Sequence, residues 1–241
     1  MRILHWNTLS EDERRQLLER PAQRDAARTM SDVRGIVEAV RRGGDAALRE
    51  LTRRFDGVDI PTLEVSAGEF ADAERALDAA QHAAIDTAIG TVRKFHEAQR
   101  PAPLRIETAP GVICERIHVP VRAVGLYVPA GSAPLPSTAI MLAVPAAIAG
   151  CPQRVVCTAP NREGRADSAV LTAARRAGIE RIFKVGGAQA IAAMAYGTES
   201  IPKCDKLFGP GNSWVAAAKS LVAGDPRAPR RISPQGSRKS W

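Results

Sequence analysis

The spacing of apolar positions changes part-way along the chain. Over the first hundred residues it is helical. Val33, Ile36, Val37 and Val40 fall at i, i+3, i+4 and i+7, one stripe along a helix. Arg41-Arg42-Gly43-Gly44-Asp45 predicts the end of that helix and the start of another, which carries Leu48, Leu51 and Phe55. Ser10 with Glu13, and Ser66 with Glu69, have the capping-box spacing, in which a hydroxyl and a carboxylate three residues apart satisfy free N–H groups at a helix start. After the second box a single Ala-rich helix is predicted to run to about Arg100. Pro101 and Pro103 stop it, because proline has no N–H to donate.

Beyond this point the pattern shortens. Residues 104–107 and 112–119 alternate apolar with polar, as strands do. From Arg122 onward, apolar strands at 123–128, 154–158, 181–185 and 206–208 alternate with helices at 137–149, 166–177, 188–195 and 213–222. Such alternation predicts an α/β fold: a helical N-terminal region followed by a mainly parallel, incomplete Rossmann-like sheet. Three parts are expected, with divisions near 120 and 227: residues 1–120, residues 121–227 and a basic tail, 228–241.

Composition narrows the class. With 45% hydrophobic and 25% charged residues, the chain has ample material for a core. No apolar run approaches the ~18 residues of a membrane span, and Met1-Arg2-Ile3-Leu4-His5-Trp6-Asn7 does not read as a secretory signal. A cytoplasmic protein with no membrane partner is the expectation. Cys114, Cys151, Cys157 and Cys204 form no C-x-x-C pair, so buried thiols are expected rather than a zinc cluster or disulfides. Of the +8 formal charge, half sits in the tail as Arg230, Arg231, Arg238 and Lys239. Aromatics are only 4%, and no basic stripe interleaves with them, so a nucleic-acid partner is not expected of the body.

Three strands run into glycine turns: Pro129-Ala130-Gly131-Ser132, Gly186-Gly187 and Gly209-Pro210-Gly211. A strand, glycine turn and helix together present free N–H groups and a positive dipole end, which suits a phosphate. The G-x-G-x-x-G fingerprint is absent, however, and glycines also serve simply to supply positive φ where a chain turns tightly. Both readings of the turns stand at this level.

The motifs themselves are more specific. Val124-Gly125-Leu126-Tyr127-Val128-Pro129 with Gly131-Ser132-Ala133-Pro134-Leu135, Val185-Gly186-Gly187-Ala188-Gln189-Ala190, Tyr196-Gly197-Thr198-Glu199-Ser200 and Phe208-Gly209-Pro210-Gly211-Asn212 resemble histidinol dehydrogenase. Arg42-Gly43-Gly44-Asp45-Ala46-Ala47-Leu48-Arg49-Glu50 fits as well, and the resemblance runs from about Trp6 to about Arg227. It implies oxidation of L-histidinol to L-histidine through a bound aldehyde, in two NAD-dependent steps with zinc holding the substrate. It also implies an α/β homodimer whose active site uses both subunits.

By position, the resemblance puts NAD contacts at Tyr127, Gln189 and Asn212. Each also has an ordinary structural role open to it: a packed tyrosine, a cap-region amide and an asparagine N-cap. The family's zinc ligands (Gln, His, Asp, His) and its acid–base Glu-His pair match nothing in the similar region. His82, His96 and His118 are read as structural or surface residues, and His5 also falls in none of those motifs. No catalytic or metal-binding residue is therefore assigned.

After Gly224-Asp225-Pro226-Arg227 the text leaves the family pattern, and codons for Arg231 onward exist that, read one base earlier, give Asp-Leu-Pro-Ala-Gly. The expectation is a frameshifted fragment, inactive alone and poorly soluble, with an open apolar strand face near 104–119. A non-catalytic nucleotide-binding module and a nucleic-acid binder using the basic tail are the alternatives.

Overall fold

The computed structural model describes residues 4–18, 26–130, 134–228 and 231–232. Helices α1 (Glu11–Leu18), α2 (Ala26–Asp56), α3 (Ala67–Ala76) and α4 (Ala79–Ala98) come first. A hairpin of β1 (Leu104–Ala109) and β2 (Val112–Arg116) follows. The chain then alternates: β3 (Ala123–Tyr127), α5 (Pro136–Ile148), β4 (Gln153–Thr158), α6 (Ser168–Arg176) and β5 (Arg181–Lys184). It continues with α7 (Gly187–Tyr196), β6 (Lys206–Phe208), α8 (Ser213–Ala223) and β7 (Arg231–Ile232). The expected α/β class is what the chain adopts.

Helix α2 breaks where the Gly-Gly pair predicts. Gly44 sits at φ 51°, ψ −134°, outside helical geometry and in the region that favours glycine. The break leaves the Asp45 N–H without an intrahelical acceptor, and Glu199 Oε2 accepts it at 2.7 Å.

The Ala-rich segment differs from expectation: it forms two helices rather than one. Asp78 caps α4 by accepting from the Gln81 N–H at 2.8 Å, and Gln81 Oε1 accepts from the Asp78 N–H at 2.9 Å. This second capping box starts a new helix and overrides the helical propensity of the alanines around it. The Ser66–Glu69 box forms as predicted, with α3 as its helix. Phe55 also departs from its expected stripe. Leu48 and Leu51 are buried, whereas Phe55 is exposed beneath the Arg54 guanidinium, 5.2 Å from its ring centre.

Strands β3 to β7 form one parallel sheet in the order β5-β4-β3-β6-β7. Side chains alternate across it, as strand geometry requires. Tyr127, Val155, Cys157, Phe183 and Leu207 join one core with residues of α2, α7 and α8. Val124, Leu126, Val156 and Ile182 join a second core with residues of α3, α4, α5 and α6. The sheet is thus covered on both faces, and the N-terminal helices share both cores. Asp205 aligns β3 with β6: its carboxylate accepts from the Ala123 N–H at 3.0 Å, and its own N–H donates to the Ala123 carbonyl at 2.7 Å.

The hairpin stands apart from this sheet. Its second strand ends at Arg116, short of the expected 119, and every residue of both strands is exposed. The apolar side chains of Leu104, Ile106, Val112 and Ile113 are therefore left uncovered, as the open strand face predicted for this region required. Of the basic tail, the described residues are Ala228, buried in the first core, and the backbone of 231–232, paired in parallel with β6. The Gly131-Ser132 turn and the rest of the tail lie outside the described residues.

Candidate functional site

The sheet begins at its centre. From β3 the chain moves to β4 and β5 on one side, then returns to lay β6 on the other side of β3. That reversal marks the switch point beyond the C-terminal ends of β3 and β6, the usual ligand position in sheets of this type. Helices α7 and α8, which follow β5 and β6, begin at this same end and direct free N–H groups and positive dipole ends there.

Tyr127 is the last residue of β3 and is 4% exposed. Its Oη accepts a hydrogen bond from the Gly187 N–H at 3.1 Å, tying the end of β3 to the start of α7. Burial raises the phenol above its ordinary pKa, and the charge of nearby Asp56 adds to the rise. Gln189 lies in the first turn of α7, 2% exposed, with its amide tucked beside Gly187. Asn212 caps α8: its Oδ1 accepts from the N–H groups of Trp214 and Val215, both at 3.1 Å. The ordinary roles of a packed tyrosine and an N-cap are thus filled. They leave the Tyr127 O–H proton and the Asn212 amide N–H groups available to a ligand. Tyr127 and Gln189 meet at Gly187, and Asn212 stands at the next turn of the same sheet end.

Gly209 connects those two turns. It has φ 126°, and a Cβ there would run into the Tyr127 carbonyl oxygen, so the end of β3 and the turn after β6 pack against each other with no room for a side chain. Beneath this turn lies Lys219, 2% exposed. Its ammonium donates to the Gly209 carbonyl, and no carboxylate pairs with it among the described residues. Burial pulls its pKa down to about 8. Asp56, at the C-terminus of α2, is half-buried. Its Oδ2 is buried without a hydrogen-bond partner, and burial pushes the carboxyl up to about 6.

Sequence reading missed both ionisable groups, although each left a trace. Lys219 stands four residues after Val215 and three before Val222, a charge on an apolar helix stripe. Asp56 precedes Gly57, whose φ of 71° ends α2.

A family profile described as histidinol dehydrogenase matches residues 18–228. The chain belongs to the histidinol dehydrogenase family. It is 55% identical over 223 residues to a histidinol dehydrogenase of Xylella fastidiosa (strain Temecula1 / ATCC 700964), covering 92% of this chain and 52% of that protein. It is 46% identical over 236 residues to one from Vibrio parahaemolyticus, covering 98% of this chain and 54% of the relative. A crystal structure of histidinol dehydrogenase from Elizabethkingia anophelis superposes with a TM-score of 0.78 at 38% identity, covering 88% of this chain and 49% of that one. The chain therefore spans about half the length of the histidinol dehydrogenases it matches. The N-terminal break at Gly44 and the turns at Gly187 and Gly209 all fall inside the region matched to the family.

Proposed function

We propose that this chain is the cofactor-holding half of a histidinol dehydrogenase, an oxidoreductase that converts L-histidinol to L-histidine with NAD. The family match over residues 18–228 carries the reading. Support comes from the C-terminal ends of β3 and β6, where two helix starts, the unclaimed Tyr127 O–H and the free Asn212 amide suit a dinucleotide. In this reading Tyr127, Gln189 and Asn212 contact NAD, which when bound accepts a hydride from the substrate. Tyr127 orients the cofactor by its hydroxyl, Gln189 offers both a donor and an acceptor from the first turn of α7, and Asn212 donates while capping α8. Gly209 keeps the two turns close enough for one ligand to touch both.

The family's zinc does not fit the side chains described here. Among the described residues, no three His, Cys, Asp or Glu side chains gather where a metal ion could be held. No step is derived through a metal, and alcohol deprotonation is assigned to no residue of this chain. The homodimer and the cytoplasmic location belong to the proposal as well. Among the described residues, no helix is long and apolar enough to cross a membrane.

Calorimetric titration of the purified chain with NAD tests the reading. Saturable binding that Tyr127→Phe and Asn212→Ala each weaken supports it. Binding that neither substitution changes would place the cofactor elsewhere.

A further inference from the structure

Lys219 is a charged side chain that the stability of the fold does not account for. It is 2% exposed, and its ammonium donates to one neutral acceptor, the Gly209 carbonyl. No carboxylate pairs with it among the described residues. An ammonium taken out of water with a single carbonyl partner costs more than the bond returns. Its direction adds a second cost. Lys219 is the seventh residue of α8, and helical side chains lean toward the N-terminus, so the ammonium reaches back to the turn before the helix starts. A cation there lies at the positive end of the helix dipole, where an anion is favoured instead. A methionine would avoid both costs and still fill the apolar stripe between Val215 and Val222.

What the ammonium supplies, and an apolar side chain could not, is a hold on the Gly209 carbonyl. Gly209 is buried, whereas Gly211, Asn212 and Ser213 just after it are exposed. The backbone N–H groups of those three residues meet no acceptor among the described residues. Gly211 has no side chain to cover them, and a Cβ there would run into Val215. The exposed side of the turn is thus a row of donors, which suits a phosphate. A carbonyl oxygen turned outward would set a negative dipole against that phosphate. The bond to Lys219 keeps the Gly209 oxygen on the buried side. We infer that Lys219 is a positioning residue for the cofactor's pyrophosphate: it holds the Gly209 carbonyl inward, and its charge, unbalanced in the fold, answers the phosphate charges from beneath the turn. Lys219 acts through the turn, without touching the ligand. The inference deepens the NAD reading above and rests on it.

The test compares the full chain with Lys219→Met and Lys219→Arg. Calorimetry at neutral pH measures the affinity of each for NAD and for an NAD analogue whose pyrophosphate is replaced by an uncharged linker. Thermal melting follows each protein without ligand. Lys219→Met is expected to weaken NAD binding about tenfold or more, the scale of one charge acting across a partly desolvated site. Its affinity for the uncharged analogue should stay that of the parent. Lys219→Arg, which keeps both a donor and a positive charge, should recover most of the loss. The unliganded Lys219→Met protein should melt no lower than the parent, since it sheds a buried charge. Unchanged NAD affinity in Lys219→Met overturns the inference while leaving the cofactor reading intact. So do equal losses for NAD and the uncharged analogue, which would make Lys219 a structural residue. No NAD binding by the unmutated chain would instead overturn the cofactor reading, and the inference with it.

Discussion

The carboxylate of Asp45 accepts hydrogen bonds from both the hydroxyl and the backbone N–H of Ser200, 155 residues further along the chain. Thr198 Oγ1 donates to the same carboxylate at 2.6 Å, and Glu199 returns the bond through the Asp45 N–H. The bend of α2 is thereby fastened to the loop between α7 and β6. Burial alone would raise the Asp45 pKa, but the bonds from Ser200 and Thr198 outweigh it and hold the carboxyl below its ordinary value.

Asp45→Ala should destabilise the fold by about 2–3 kcal/mol, the scale of hydrogen bonds to a charged acceptor. Ser200→Ala should cost less, and the double variant should fall short of the sum, since each single variant already removes the bond from the Ser200 hydroxyl. Because the folded carboxyl is depressed, its contribution is fully present above the unfolded pKa of 3.8 and is lost as pH falls through the lower folded value. Denaturant titrations from pH 6 down to about pH 2 should therefore show a shallower acid loss in Asp45→Ala. Strict additivity in the double variant would mean that the bond carries no stability.

Gly209→Ala should lower the melting temperature sharply. Its φ of 126° costs a residue with a Cβ about 1–3 kcal/mol, and the added methyl would also press on the Tyr127 carbonyl. Gly224→Ala is the control, because Gly224 has φ −88° and no heavy atom closer than 3.7 Å to an added Cβ. Equal melting temperatures for the two variants would refute the tight approach of β3 and the Gly209 turn.

Lys219 predicts a gain of stability at alkaline pH. Its folded pKa of about 8 lies below the ordinary 10.5, so the unfolded chain holds the extra proton between those values. Folding then becomes more favourable as pH rises from about 8 to 10.5, because the cost of burying the charge disappears. Measured against Lys219→Met, which cannot titrate, the parent should gain up to about 3 kcal/mol over that range. A difference between the two proteins that stays flat with pH would mean that the ammonium is not desolvated.

The hairpin should make the isolated chain self-associate. Ile117 and Val119, just beyond β2, are each 76% exposed, and they extend the apolar surface of Leu104, Ile106 and Ile113. Sedimentation velocity should show concentration-dependent species above monomer mass, and Ile106→Lys with Ile113→Lys should reduce them. A parent chain that sediments as a monomer at all concentrations would contradict this.

Much of the fold was legible because its signals are local. The Gly43-Gly44 break, the Ser66 capping box and the strand–helix alternation each rest on a few neighbouring residues. The split at Asp78 was equally local but competes with alanine propensity, and reading the propensity alone hid it. The site was legible only in part. Tyr127, Gln189 and Asn212 lie in recognisable turns, whereas the partners of Asp45 and the burial of Asp56 and Lys219 are set by packing between segments. An exposed aspartate and a half-buried one without a partner look the same in a one-dimensional text.

The two edges of the parallel sheet are not equivalent. Beside β5, residues 63–65 run antiparallel and take up hydrogen bonds of the outermost strand. Arg181 clasps Glu64 through both carboxylate oxygens, at 2.7 and 2.9 Å, and so pins that segment down. On the far side, beyond β6, the described sheet has only the two residues of β7. Among the described residues, the sheet is thus closed off along one flank and ends in a two-residue strand along the other, so its two borders are built differently.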